Sequence, residues 1–425
     1  MSKQSFTRRQ ALAATGTIAG GLALAAGLTS AGARAAADGD AKELKVGAVL
    51  ELSGADASGG QLAKRGYEFW VTTINNQGGV EIAGKKYPVR MITQDARSEP
   101  SVGADAATRL ITVEKVDAMF GSYTSGVQLA MNPICAKYQV PCIAGSAESP
   151  ENWSPHPEFT FGIIPSVDLT ADKALKFIVD GANPRPTTAA VIGANEPFSK
   201  DAAAGFAKGA REAGLKLTTN TLFPPAADLS PIISEIAAKK PDIVAVGGHD
   251  TILINVVKVL KSQGFTPKAL IEHYGVTEPG FVQALGKEAD GVCGLVDWDP
   301  AFPYKDALFG TAADVAKNYE EMYKVEIDYT GAACAVSGLV LQLALQKLGK
   351  LPHLSTADRV ALNKLIAETD IHTFYGPIKF DQSGPHFHDN TLPPPVLIQI
   401  QNGQITAVAP PEFALAKFQY PLMSV

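Results

Sequence analysis

A chain of 425 residues with 46% hydrophobic and 19% charged content has ordinary globular composition and enough apolar surface for more than one core, so two domains are expected. Its net charge of -6 and its scattered lysines and arginines exclude nucleic acid as a partner class. Four cysteines are too few for a disulfide scaffold, and no C-x-x-C pair is present, which removes the usual zinc and thiol-redox signatures. Cys135 and Cys142 read either as a bridge from a helix end to the next strand or as two buried free thiols.

Residues 1–37 carry Lys3, Arg8 and Arg9, then a mildly apolar Ala/Gly/Leu run, then small residues of A-x-A type, which together predict a secretory signal. The paired arginines after Thr7, the weak hydrophobicity and Arg34 near the cleavage region point to a twin-arginine signal. Its passenger would be a soluble, periplasmic protein, with the twin-arginine export machinery as a partner.

From residue 45 onward, strand-like and helix-like segments alternate. "LKVGAVLEL", a helix over 60–77, "VRMITQDA", a helix over 101–114, "VDAMFGS", a helix over 126–138 and "VPCIAGS" form a first series. After "FTFGIIPSVD" the rhythm restarts with "TTAAVIGAN" and continues through helices over 200–213, 230–239 and 252–263 to "DGVCGLVDW". Repeated βα units imply an α/β fold with two doubly wound parallel-sheet lobes. Residues 306–348 read as helical and are expected to pack back on the first lobe. "VLIQIQNGQITAV" reads as a hairpin turning at Asn402-Gly403. The chain is then expected to cross a three-strand hinge near Pro165, near Asp297–Pro303 and near Phe374–Gly376. Lobe 1 takes residues 43–164 plus 298–374, and lobe 2 takes 165–297 plus 375–425.

Ligands of open parallel sheets bind beyond the carboxyl ends of the strands, so the loops there are the candidate site. They are "SGADASGG", "SYTSG", "GSAESPENW", "ANEPFSKD", "GGHDT" and "HYGVTEP". Thr124 or Ser125 would cap the helix starting near Gly126, whose free N–H groups favour an anion. "GADASGGQ" begins like a phosphate loop but has Gly60 and Gln61 where Lys and Ser or Thr are required, which removes the NTPase reading. Ser125 lacks the preceding glycine of a nucleophile elbow, and no histidine is assignable as its base, so a secreted hydrolase or amidase is the unsupported rival. His386 and His388 lack a third metal ligand beyond Asp389.

"KVGAVLELSG", "INNQGGV", "VEKVDAMFGSYTSGVQLAMNPICAKYQVPCIAGSA", "GFAKGAREAGLKL", "KPDIVAVGGHD", "LKSQGFTPKALI" and "FYGPIKFDQSG", in this order, resemble the extracytoplasmic solute-binding receptors of ABC importers, in their leucine/isoleucine/valine-binding branch. The resemblance covers nearly all of residues 43–405. It implies a non-enzymatic, cofactor-free, monomeric receptor whose two lobes close on a small polar solute, an amino acid or related carboxylate or amide. A membrane permease would be its second partner. By position, the resemblance implies that Tyr123, Thr124 and Ser125 hold a solute carboxylate. Their neighbours would be Ser146, Ala147 and Glu148, with Phe198 as a covering aromatic, His249 beside Asp250, and Tyr274 near the position of an acidic residue. Glu148 and Tyr274 depart from the family pattern: either Glu148 and Asp250 hold an ammonium, or the solute is not an α-amino acid, or Glu148 is a solvated rim residue. A sensory domain of the same fold is the other rival, although the tail "EFALAKFQYPLMSV" is too short and polar to anchor one.

Overall fold

The structure is a computed structural model, and it describes residues 43–422. The signal expected over residues 1–37 lies outside the described residues. The first βα series contains β1 (Leu44–Leu50), α1 (Ala57–Asn76), a small hairpin of β2 (Val80–Ile82) and β3 (Lys85–Tyr87), β4 (Val89–Asp95), α2 (Pro100–Thr112), β5 (Ala118–Phe120), α3 (Ser125–Tyr138), β6 (Cys142–Ala144) and β7 (Thr160–Gly162). The second contains α4 (Ala171–Gly181), β8 (Thr188–Ala194), α5 (Pro197–Glu212), β9 (Lys216–Phe223), α6 (Ser230–Lys239), β10 (Ile243–Gly247), α7 (Asp250–Ser262), β11 (Ala269–His273), α8 (Pro279–Leu285) and β12 (Cys293–Val296). The remainder contains β13 (Lys305–Asp306), β14 (Gly310–Thr311), α9 (Ala312–Tyr323), α10 (Tyr329–Leu348), α11 (Thr356–Ala367), β15 (Asp370–Thr373), β16 (Gly376–Lys379), β17 (Val396–Gln401) and β18 (Gln404–Ala409).

Two sheets organise these elements. The first has strand order β4-β1-β5-β6-β7 with every pair parallel. The second has order β18-β17-β12-β11-β10-β8-β9, parallel from β9 to β12 and closed by antiparallel β17 and β18. Strand order therefore reverses between β1 and β5 in one sheet and between β8 and β10 in the other. Such switch points open a crevice, because neighbouring connections leave in opposite directions. The α/β two-sheet fold expected from the alternating pattern is thus present.

The apolar runs explain the burial. β1 is buried almost throughout, as expected of a parallel strand covered on both faces. Tyr67 of α1 stacks on Phe120 with ring centroids 4.4 Å apart, and Trp70 meets the same ring edge-on at 5.8 Å. α10 lies against α1 at very short range, since a side chain added at Gly66 would lie 2.3 Å from the Gly331 carbonyl oxygen. At the hairpin tip Asn402 and Gly403 both have positive φ, 54° and 74°, the requirement of the mirror-image turn that Asn-Gly favours.

Two departures from the sequence reading stand out. The stretch 306–348 is not helical from its start: Gly310, at φ 83°, turns the short β13–β14 hairpin, and Thr311 with Asp314 forms the reciprocal cap that begins α9. Residues 380–390 stay beside β7, where Asp389 bridges Gly162 and the Asn390 side-chain amide donates to the Ile163 carbonyl at 3.0 Å. The free-thiol reading of Cys135 and Cys142 holds: they, Cys293 and Cys334 are all buried free thiols.

Candidate ligand-binding cleft

Glu51, the residue after β1, organises the first wall. Its carboxylate accepts the backbone N–H of Tyr123 and of Thr124, each at 3.0 Å, and the Thr124 hydroxyl at 2.6 Å. This clamp fixes the β5–α3 turn and leaves the first-turn N–H groups of Ser125 and Gly126 without carbonyl partners in their own helix. Ser125 accepts the Ser149 N–H on its hydroxyl oxygen at 3.0 Å, so its own proton is free to be donated. After β6, Ala147 sits at φ 75°, a strained left-handed conformation for a residue with a Cβ, at the bend between Ser146 and Glu148.

The second wall comes from the other sheet. Glu196 caps α5 by accepting the N–H groups of Phe198 and Ser199, which fixes Phe198 at the helix start. His249 precedes α7, and its ring stacks on Phe198 at 5.1 Å. Tyr123 reaches across, with its hydroxyl 3.2 Å from His249 Nδ1 and its ring 5.7 Å from that of Tyr274.

Eight of the expected residues, Tyr123, Ser125, Ser146, Ala147, Glu148, Phe198, His249 and Tyr274, line one small cavity between these walls. Thr124 and Asp250 do something else. The Thr124 hydroxyl donates to Glu51 and accepts the Val127 N–H at 3.4 Å as the cap of α3, and Asp250 accepts the Ser58 hydroxyl at 2.6 Å, tying the start of α7 to α1. Glu148 and Asp250 therefore do not converge on one point. Nor is Glu148 a solvated rim residue, since it is only 4% exposed.

Three residues around Glu148 and Tyr274 escaped the sequence reading. Tyr329 donates its hydroxyl to Glu148 Oε1 at 3.0 Å, His273 Nε2 lies 3.2 Å from Glu148 Oε2, and Tyr274 donates to Asp328 at 2.5 Å. The signals were present as "HYG" and "DYTG", but nothing in the chain order reveals that these segments meet. Glu278, from the loop "HYGVTEP", is the other omission: it is buried and accepts the Tyr123 hydroxyl at 3.4 Å.

Buried carboxyl groups crowd the cleft, and burial favours their neutral forms. Burial pushes the Glu51 carboxyl up to about 7 even though hydrogen bonds from Thr124 and Tyr123 oppose it, and burial raises Glu278 and Asp297 as well. For His249, burial pulls the imidazole down, but the carboxylates of Glu196, Asp56, Asp250 and Glu51 outweigh it and hold the ring above its ordinary value. Among the described residues, no lysine or arginine lines the cavity. Outside it, His388 stacks between the rings of Phe161 and Phe387, and His386 lies 3.5 Å from Asp168.

Two loop-bearing sheets facing each other across a ring-lined cavity describe a receptor for a small molecule. Residues 43–392 match the periplasmic binding protein family. The chain belongs to that family. It is a family of binding proteins and not of enzymes, located outside the cytoplasm. Among curated relatives, the Brucella abortus Leu/Ile/Val-binding protein homolog 7 is 24% identical over 93% of this chain and 98% of its own length. Homolog 8 of the same organism is 22% identical over 54% of this chain, so the chain spans only 57% of that relative's length. Among solved structures, the branched-chain amino acid transporter substrate-binding protein of Streptococcus pneumoniae in complex with isoleucine matches with a TM-score of 0.74 and 21% identity, covering 87% of this chain and 100% of the other. The solute-binding protein of an ABC transporter from R. palustris in complex with benzoate matches with a TM-score of 0.72 and 22% identity, covering 87% and 96%.

Proposed function

We propose that this periplasmic binding protein is the capture component of an ABC importer, closing two lobes on a small polar solute and presenting it to a membrane permease. The lobes correspond to residues 43–164 with 298–374, and 165–297 with 375–425, except that 380–390 packs beside β7 of the first. The leader would direct the chain to twin-arginine export, and the mature protein acts as a monomer. Tyr123, Ser125, Ser146, Ala147, Glu148, Phe198, His249 and Tyr274 contact the solute. Thr124 acts from behind through Glu51, and Asp250 acts at the rim.

The observation that carries the reading is the charge of the cavity. Its lining carboxylate, Glu148, is held by the Tyr329 hydroxyl and by His273, and among the described residues no lysine or arginine lines the cavity. A bare anion placed against Glu148 would meet a like charge with no lysine or arginine beside it. A net-neutral solute, an amide or a zwitterionic amino acid, instead offers N–H donors to Glu148 and a carbonyl or carboxylate oxygen to Ser125 and the α3 N-terminus. The relative that holds isoleucine is an example of the zwitterionic class. A second reading, an aromatic carboxylate, is favoured by the rings of Tyr123, Phe198, His249 and Tyr274 and by the neighbour that holds benzoate.

A thermal-shift screen separates the two readings, because a solute that binds only the folded state raises the unfolding midpoint by mass action. Isoleucine, urea, acetamide, acetate, benzamide and benzoate form a suitable panel, extended to other amino acids. Shifts by amides or amino acids that exceed those of the matched anions support the first reading. A shift by benzoate alone would install the second, and no shift by any solute would overturn capture itself.

A further inference from the structure

Glu148 belongs to the loop after β6 of the first sheet, while His273 ends β11 of the second. Their contact at 3.2 Å therefore bridges the two sheets and depends on their closure. Glu148 is 4% exposed and His273 2%, and Tyr329, at the start of α10, is 1% exposed. Both carboxylate oxygens are thus engaged before any solute arrives, Oε1 by the Tyr329 hydroxyl and Oε2 by the imidazole. Behind them lies a second carboxyl, Asp297, fully sealed, with one oxygen lacking a hydrogen-bond partner among the described residues. Left to itself, a buried carboxylate next to another would be expelled toward water or neutralised. With a partner on each oxygen it is held in one orientation, and each oxygen keeps a second lone pair for a further donor.

We propose that His273 and Tyr329 are specificity-determining positioning residues, which fix Glu148 so that the closed cleft accepts a solute N–H donor and rejects a carboxylate oxygen at that point. This inference rests on the reading of the cleft as a solute site and sharpens it to one chemical distinction. An amide and its carboxylate have nearly the same shape, so steric fit discriminates them poorly. A fixed acceptor discriminates them well, because the carboxylate oxygen would leave Glu148 facing a like charge. The imidazole arrives from the opposite lobe, so the discrimination is complete only when the lobes have closed, which makes closure itself selective. His273 does not line the cavity, and neither does Tyr329. Their effect passes through Glu148.

The test uses two isosteric pairs, acetamide with acetate and benzamide with benzoate, titrated calorimetrically into the purified protein and into its Glu148→Gln, His273→Leu, His273→Gln and Tyr329→Phe variants. The expected result is an amide preference of at least about tenfold in the parent, the scale of one hydrogen bond to a charged group. Glu148→Gln and His273→Leu should each reduce that ratio about tenfold, Tyr329→Phe should reduce it less, and His273→Gln, which retains an N–H donor, should preserve part of it. Combining His273→Leu with Glu148→Gln should cost no more selectivity than either alone. A purely structural role would weaken both members of a pair equally and leave the ratio unchanged, which overturns the inference. So does equal binding of amide and carboxylate by the parent. If those four probes fail but another solute of the wider screen binds, the selectivity claim falls and capture stands; if nothing binds, both fall.

Discussion

At the scale of single residues, Glu51 has the largest effect on the cleft without lining it. Its carboxyl keeps its proton up to about pH 7 in the folded chain, against an ordinary value of 4.5. Between those values the unfolded chain has released a proton that the folded chain retains, so stability falls as pH rises through this window, by about 3 kcal/mol in all. His249 acts in the same direction: its raised value makes protonation stabilising below its ordinary 6.5, and that contribution is lost as pH climbs past its folded value. Melting temperatures measured from pH 5 to pH 8 should therefore decline, and Glu51→Gln should flatten the decline. An equally steep slope in that variant would mean that Glu51 ionises without penalty. Ser125→Ala is expected to weaken solute binding about tenfold and to cost about 1–3 kcal/mol of stability, since the buried Ser149 N–H loses its acceptor. Calorimetry and chemical denaturation read the two effects separately. The position of Ser125 at a helix start was legible in "GSYTSG" because capping is a local rule. The added bond from Thr124 to Glu51 was not, because that carboxylate lies just past β1, 73 positions earlier.

At the scale of elements, the close crossing of α1 and α10 fixes the first lobe. A Cβ at Gly338 would lie 2.1 Å from the Trp70 ring, and Trp70 is itself held by Gln342 through its indole N–H at 3.1 Å. Gly338→Ala gains helix propensity but must push a fully buried ring aside, so overpacking wins and the variant should lose about 1–3 kcal/mol. Equilibrium unfolding in urea checks this, and a neutral or stabilising result would show that Trp70 repacks freely. α10 illustrates what periodicity conveys and what it hides. An 18-residue window of it has a mean hydropathy of 1.4, yet 78% of that window is buried inside the protein, so it is a core helix. The strands and most helices of both βα series were legible because parallel strands read as continuous apolar runs. α4 and α11 were missed, although Ser355 with Asp358 caps α11 reciprocally and Ala171–Gly181 buries a clear apolar stripe. The β2–β3 and β15–β16 hairpins are too short to yield a period.

At the scale of the whole molecule, the sheets are tied at the cleft rim as well as at its floor. Ser58 donates to Asp250, Ser149 donates to Asp201 at 2.5 Å, and Lys200 pairs with Glu151. Each tie joins a segment of the first βα series to a helix start of the second, so each exists only while the walls are together. These groups are partly exposed, and each tie is expected to contribute no more than about 1 kcal/mol. The rim assignment of Asp250 makes a prediction that an ammonium-binding assignment does not. If Asp250 is a tie, Asp250→Ala destabilises the closed form whatever it contains, and every solute should dissociate faster by the same factor, about threefold, with little change in association rate. If Asp250 instead holds an ammonium, only amine-bearing solutes should be affected, and far more strongly. Stopped-flow fluorescence on Asp250→Ala with isoleucine and with a neutral amide decides between them. Ser58→Ala serves as the control: it removes the same tie from the opposite lobe while leaving Asp250 in place, and it should reproduce the uniform acceleration.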